Sequence, residues 1–235
     1  MKAIILASGA GTRLRPLVNR LPKPMIKVGD KTILDYQLEG LIKYGIDSFI
    51  ITTGPFKEKL EEHVRSNYRL KVRFIHNPKY EITNYIYTLW LTKSLIDTNV
   101  LLMHGDLLFD NVLIGKLIEA NDNRVLINRE TKLSEKDFNA LIEMNRVTKI
   151  GVALSGPNVY FCAPMYRFSK LDFLYWLNKM EVFIKQGRTN CYAEDAFNEI
   201  SKEIVLRPLY YDEFCMEIDT MGDLDKAKSY LLNKR

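Results

Sequence analysis

Three groups of residues near the start of the chain have the types and spacing for phosphate chemistry. The apolar run from Lys2 to Ala7 leads into Gly9-Ala10-Gly11-Thr12-Arg13, and Lys23 follows between Pro22 and Pro24. Glycine tolerates positive φ and lets backbone N–H groups approach phosphate oxygens closely. Arg13 adds a planar fork that can hold two phosphate oxygens, while Lys23 is a point charge on a stiffened segment. The chemistry implied is a triphosphate cradle. Two commoner glycine loops fit less well. A dinucleotide turn needs a third glycine where this chain has Leu14, and Asp30 sits beside Gly29 in a turn rather than ending a second strand. A Walker loop needs Gly-Lys followed by Ser or Thr, which the chain lacks.

The elements that must position these groups alternate. Lys2 to Ala7 reads as a strand buried on both faces. Ile33, Tyr36, Leu38, Leu41 and Ile42 recur at helical spacing up to Gly45. Strands are expected at Phe49–Thr53, Val72–His76 and Asn99–Met103, with helices at Lys57–Asn67 and Ile82–Leu95. Strands separated by helix-length segments imply βαβ units and a doubly wound α/β domain. Beyond Asp110, which reads as the cap of a following helix, the alternation loosens. Arg124–Arg129 reads as a strand, and Phe138–Val152 as a strand pair around Asn145-Arg146. Ser169–Lys185 and Asn190–Glu203 read as helices, the second capped by Asn190, and a last helix begins near Asp223 with Thr220 as its cap.

Gly9 to Pro16 followed by Pro22-Lys23-Pro24-Met25 resembles the signature of the nucleotidyltransferases that make nucleotide sugars and related activated head groups. Gly105-Asp106, after an apolar strand, resembles that family's first metal aspartate. Glu217-Ile218-Asp219-Thr220, with Gly222-Asp223-Leu224 and a closing helix, resembles the second. The resemblance implies a Rossmann-like mixed sheet of the nucleotide-diphospho-sugar transferase type, with helices on both faces. It also implies one domain over residues 1–235. Arg13, Lys23, Asp106 and Asp219 are then the catalytic set, and Leu6, Ala7, Ser8, Gly9, Ala10, Gly11, Thr12 and Arg13 wrap the nucleotide phosphates. A carboxylate ending an apolar strand is costly if unpaired, and a magnesium ion shared by Asp106 and Asp219 resolves that cost. The reaction implied is attack of an acceptor phosphate oxygen on the α-phosphorus of a nucleoside triphosphate. The nucleophile is already anionic, so positioning and charge neutralisation replace a general base. None of His63, His76 or His104 is placed as a catalytic histidine, and a structural role is expected for His104.

The segment Asn77-Pro-Lys-Tyr80, with Thr83-Asn84-Tyr85 and Trp90, narrows the resemblance to the small CTP:phosphocholine cytidylyltransferases and their relatives. It implies Thr83, Asn84 and Thr88 near a cytosine base, with Thr53 and Gly54 opposite. Tyr192, Glu194 and Asp195 stand where family members meet their acceptors, and carboxylates beside aromatic faces suit an ammonium group. Phosphocholine fits, as does phosphoglutamine, the acceptor of a related enzyme of capsular phosphoramidate synthesis. Arg129 and Arg188 could hold an acceptor carboxylate, which tilts the expectation toward an amino-acid phosphate. Glu194 and Asp195 could equally be charges complementing a helix N-terminus. Two further readings stay open: a sugar-1-phosphate nucleotidyltransferase using UTP or dTTP, and an inactive regulatory relative.

Composition bounds these readings. The chain has 235 residues and a formal charge of +5, with 34 Lys and Arg against 29 Asp and Glu. The charges are interleaved, so nucleic acid is not an expected partner. No apolar run is long enough for a transmembrane helix and the first residues do not form a signal peptide, so a cytoplasmic protein without membrane contact is expected. Cys162, Cys191 and Cys215 are scattered without metal-ligand spacing, as free thiols would be. A monomer or a homodimer is compatible with all of this.

Overall fold

In the structure, a computed structural model, residues 1–9, 14 and 19–234 are described. Strand β1 (Lys2–Leu6) is central. It pairs in parallel with β4 (Ser48–Thr53) on one side and β6 (Val100–His104) on the other, and β4 pairs in parallel with β5 (Lys71–His76). Two short strands, β2 (Lys27–Val28) and β3 (Lys31–Thr32), form a hairpin apart from this sheet. The apolar run at the start of the chain is buried because helices cover both faces of the main sheet. Beyond β6 the sheet turns antiparallel: β11 (Val159–Phe168) joins it to β8 (Asn123–Asn128) and to β9 (Phe138–Glu143). Strand β10 (Arg146–Val152) closes the β9 edge, and β12 (Leu206–Tyr210) runs parallel to β8. Among the described residues this is one mixed sheet of nine strands. The expected doubly wound mixed sheet is therefore observed, with its switch point between β1 and β6.

Each face buries a separate apolar cluster. On one, α1 (Ile33–Lys43), α2 (Lys57–Asn67) and α4 (Val112–Glu119) supply Leu38, Leu60 and Leu113 against Ile5, Ile51 and Met103. On the other, α3 (Tyr85–Trp90), α5 (Lys170–Lys185) and α6 (Ala193–Asn198) supply Leu89, Trp176 and Phe197 against Ile4, Leu102 and Tyr166. Helix starts follow local chemistry. Thr32 accepts from Asp35 N–H at the start of α1, Ser169 from Asp172 N–H at α5, and Thr220 from Asp223 N–H at α7 (Met221–Asn233). Each such cap stabilises its helix by about 1 kcal/mol.

Some elements differ from expectation. The helix expected over Ile82–Leu95 is α3 followed by a 3-10 turn at Lys93–Leu95, because Asn84 caps only at Tyr85. The helix expected from Asn190 begins at Ala193; Tyr192, not Asn190, holds the cap position. Asn84 N–H donates to Thr189 O, which ties the segment before α6 to the start of α3. Asp110 does not cap α4. Its carboxylate accepts from Tyr230 Oη and Lys234 Nζ, anchoring the last helix. The β9–β10 turn falls one residue early, at Met144 and Asn145, both at positive φ as a two-residue hairpin requires.

Candidate active site

A cavity of about 330 Å³ opens at the carboxyl ends of β1 and β6, where open α/β sheets bind ligands. Leu6, Ala7, Ser8 and Gly9 line it from β1, and His104, Gly105 and Asp106 from β6. Two glycines permit the close approach. A Cβ on Gly105 would lie 2.8 Å from Leu6 O and 2.9 Å from Pro24 Cγ, and one on Gly54 would lie 2.1 Å from Ser8 O. Gly54 thus shapes the β1 loop from beneath, and Thr53 beside it is buried.

Lys23 reaches the cavity from a 3-10 turn, Lys23–Met25, that Pro22 and Pro24 stiffen. Asp219 arrives by another route. Strand β13 (Cys215–Glu217) pairs antiparallel with β7 (Leu107–Phe109), and Ile218 N–H donates to Asp106 O at 3.0 Å. That ribbon sets the two aspartates side by side. Lys23 Nζ donates to Asp106 Oδ2 at 2.6 Å and also to Asp219 Oδ1. Burial opposes charge on Lys23, but the two carboxylates outweigh it and raise its pKa. Burial would likewise raise Asp106, yet Lys23 and His104 hold it below the ordinary aspartate value. Asp106 Oδ1 stays buried without a hydrogen-bond partner among the described residues. His104, Asp106 and Glu217 each offer a ligand atom within 4.8 Å of one another.

The other wall is neutral. Thr83, Asn84 and Thr88 line it as expected, joined by Asn77 and Tyr80. Behind Tyr85 and His104, which also line the cavity, lies an aromatic cluster. Tyr85 meets His104 edge-on at 4.9 Å and Tyr192 at 5.9 Å, and Phe138 meets Tyr192 at 5.0 Å. Glu194 is buried beneath this cluster, accepting from Tyr85 Oη and, at 2.8 Å, from Tyr166 Oη. Glu217 lies 3.4 Å from His104 Nδ1. Burial drives Glu217 above the usual carboxylate range. Burial alone would lower His104, but Glu217 raises it.

Of the expected site residues, Leu6, Ala7, Ser8, Gly9, Lys23, Thr83, Asn84, Thr88 and Asp106 line one cavity, and Asp219 reaches it through Lys23. Ala10, Gly11, Thr12 and Arg13 lie outside the described residues. Asp195 accepts from Tyr192 N–H at 2.9 Å at the start of α6, the helix-terminal role left open by the sequence. Arg129 is exposed and stacks 3.6 Å over Tyr210; Arg188 stacks 3.5 Å over Phe183 and pairs with Glu199. Neither arginine lines the cavity. Sequence reading missed the grip on Glu194 and the His104–Glu217 contact. Both join residues distant in the chain, and only the aromatic content of residues 80–90 hinted at them.

The chain is similar to known proteins. A family model described as Nucleotidyl transferase matches residues 2–133. A choline-phosphate cytidylyltransferase of Streptococcus pneumoniae is 30% identical over 247 residues, covering 100% of both chains. A CTP:phosphoglutamine cytidylyltransferase of Campylobacter jejuni is 30% identical over 133 residues, 54% of this chain and 52% of its own. The solved structure of a CTP:phosphocholine cytidylyltransferase from Streptococcus pneumoniae superposes with a TM-score of 0.82 at 24% identity, covering 98% of each chain, a likeness of fold. On the family match and the full-length relative together, the chain belongs to the nucleotidyl transferase family.

Proposed function

We propose that the chain transfers CMP from CTP to a small phosphorylated acceptor with a cationic head group, of the phosphocholine type. The products are a CDP-linked head group for surface or capsular polysaccharide modification, and pyrophosphate. The observation that carries this reading is the meeting of Lys23, Asp106 and Asp219 at the switch-point cavity. A phosphate oxygen of the acceptor forms a bond to the α-phosphorus, and the bond from that phosphorus to the bridging oxygen of the β-phosphate breaks. Pyrophosphate carries away the electron pair. Lys23 neutralises charge on the transferred phosphate and orients the acceptor phosphate beside it. Arg13 holds the β- and γ-phosphates. Asp106 and Asp219 are hard oxygen donors, and the unpartnered Asp106 Oδ1 fits them to a magnesium ion. When bound, that ion supplies charge neutralisation at phosphate oxygens.

The acceptor choice follows from the aromatic cluster. Tyr85 and His104 bring aromatic rings to the cavity wall, with Glu194 and Glu217 behind them, surroundings that favour a quaternary ammonium. An acceptor carboxylate would need a cation, and the stacked positions of Arg129 and Arg188 remove the support they gave to an amino-acid phosphate. The cytosine preference draws support from the neutral hydroxyl and amide wall and from the CTP-using relatives. Pyrophosphate release with CTP, UTP or dTTP, each paired with phosphocholine, phosphoglutamine or a hexose 1-phosphate, tests the reading. Fastest turnover is expected with CTP and phosphocholine. Turnover confined to a hexose 1-phosphate, or silence across the panel with magnesium present, would overturn it.

A further inference from the structure

Asn77 is 1% exposed, and its amide is fixed by three bonds. Its Oδ1 accepts from Lys79 N–H at 2.8 Å, so its NH2 group must face the other way. There it donates to Thr88 Oγ1 at 2.8 Å and to Thr83 Oγ1 at 3.0 Å. Thr83 spends its own proton on Lys79 O at 2.8 Å. Ser8 and Thr88 hydroxyls lie 3.0 Å apart. That pair carries two protons; the bond between them, donated by Ser8, uses one and leaves Thr88 Oγ1, which also accepts from Asn77, without a free lone pair. Asn77 presents only a donor to the pair and cannot take the second proton. Among the described residues no other acceptor meets either hydroxyl, so one proton is left to face the cavity that Ser8 and Thr88 line.

We propose that Asn77 is a positioning residue that sets the base preference, by leaving the Thr88 hydroxyl only its proton to offer the base. A fixed donor favours a ring nitrogen that bears no hydrogen, which cytosine has at N3 and uracil replaces with N–H. Two donors face to face leave a buried group unpaired, a loss of about 1–3 kcal/mol against the wrong base. Nothing on this wall carries a net charge, so the discrimination comes from hydrogen-bond polarity and not from charge. The inference rests on the cavity taking a cytidine nucleotide, and it concerns binding before any transfer.

The test is calorimetric affinity of the full chain for CTP and for UTP, with magnesium and without acceptor. Asn77→Asp keeps the shape and replaces the donor by an acceptor. The Thr88 proton then turns to the introduced carboxylate, and lone pairs face the cavity. Thr88→Val deletes the outward hydroxyl without adding charge and carries the test if Asn77→Asp does not fold. The unaltered chain should prefer CTP by about tenfold or more, and both variants should lose most of that preference. Equal affinities in the unaltered chain, or a preference that survives in a folded variant, would overturn the proposal. A chain that prefers CTP in binding but transfers nothing to any acceptor would sink the function above and leave the base reading standing.

Discussion

Asp35 and Asp106 are two largely buried aspartates with opposite bonding, and the contrast separates a carboxylate that holds the fold from one available for chemistry. Asp35 is saturated. Its Oδ2 accepts from Thr32 N–H at 2.9 Å and Thr32 Oγ1 at 2.7 Å, and its Oδ1 meets His63 Nε2 and Tyr68 Oη, each at 2.7 Å. It joins the start of α1 to α2 and the residue after it. Asp106 has Lys23 on Oδ2 and, among the described residues, nothing on Oδ1. A buried polar atom left without a partner is a cost, and at the wall of the cavity it fits a group supplied by a ligand. Asp110, held by Tyr230 and Lys234 outside the cavity, falls with Asp35.

Substitutions at the two positions should dissociate fold from turnover. The largest effect is expected from Asp106→Asn, which should lower kcat by about a hundredfold or more while the far-UV circular dichroism stays native. Near-normal rates would erase the distinction. Asp35→Asn should do the reverse: a loss of about 1–3 kcal/mol in urea unfolding, with turnover at saturating substrate unchanged. Loss of turnover in that variant at temperatures where it is folded would show that Asp35 also acts on the site.

The acid limb of stability sharpens the same comparison. Burial would raise Asp35, but its bonds to His63, Tyr68 and Thr32 hold its pKa below the ordinary value. A depressed carboxylate stabilises the fold above its unfolded pKa, about 3.9, and that contribution fades as pH falls through the lower folded value. Unfolding midpoints for the unaltered chain should therefore drop on going from about pH 5 to about pH 3, and drop less in Asp35→Asn. Equal drops would contradict the assignment. The smallest effect is expected at Lys31, paired with Glu39 on the surface with both side chains near half-exposed. Lys31→Ala should change stability by no more than about 1 kcal/mol, and a larger loss would mean that solvated ion pairs matter more here than supposed.

How much of this the sequence carried depended on how local the cause was. The strand Lys2–Leu6, the stiffened segment at Lys23 and the cap Thr220 rest on neighbours a few residues away, and they were legible. Asp106 and Asp219 were legible only through their motifs, because the β7–β13 ribbon that joins them involves three-residue strands with no periodicity to read. The long strand β11 also escaped notice, although it carries Tyr166 and links the parallel and antiparallel halves. Asn77 could be read as the turn residue before Pro78. Its control of Thr83 and Thr88 depends on how β5 delivers it to the start of α3. Arg129 and Arg188 had the right charge for an acceptor carboxylate, and packing gave them aromatic partners instead.

Phosphorus NMR on the unaltered chain with CTP, phosphocholine and magnesium tests the central claim most directly. The phosphocholine and CTP resonances should fall together, while a diphosphodiester doublet and pyrophosphate rise in equal amounts. Unchanged CTP in that mixture, alongside turnover of UTP or dTTP with a hexose 1-phosphate, would contradict it.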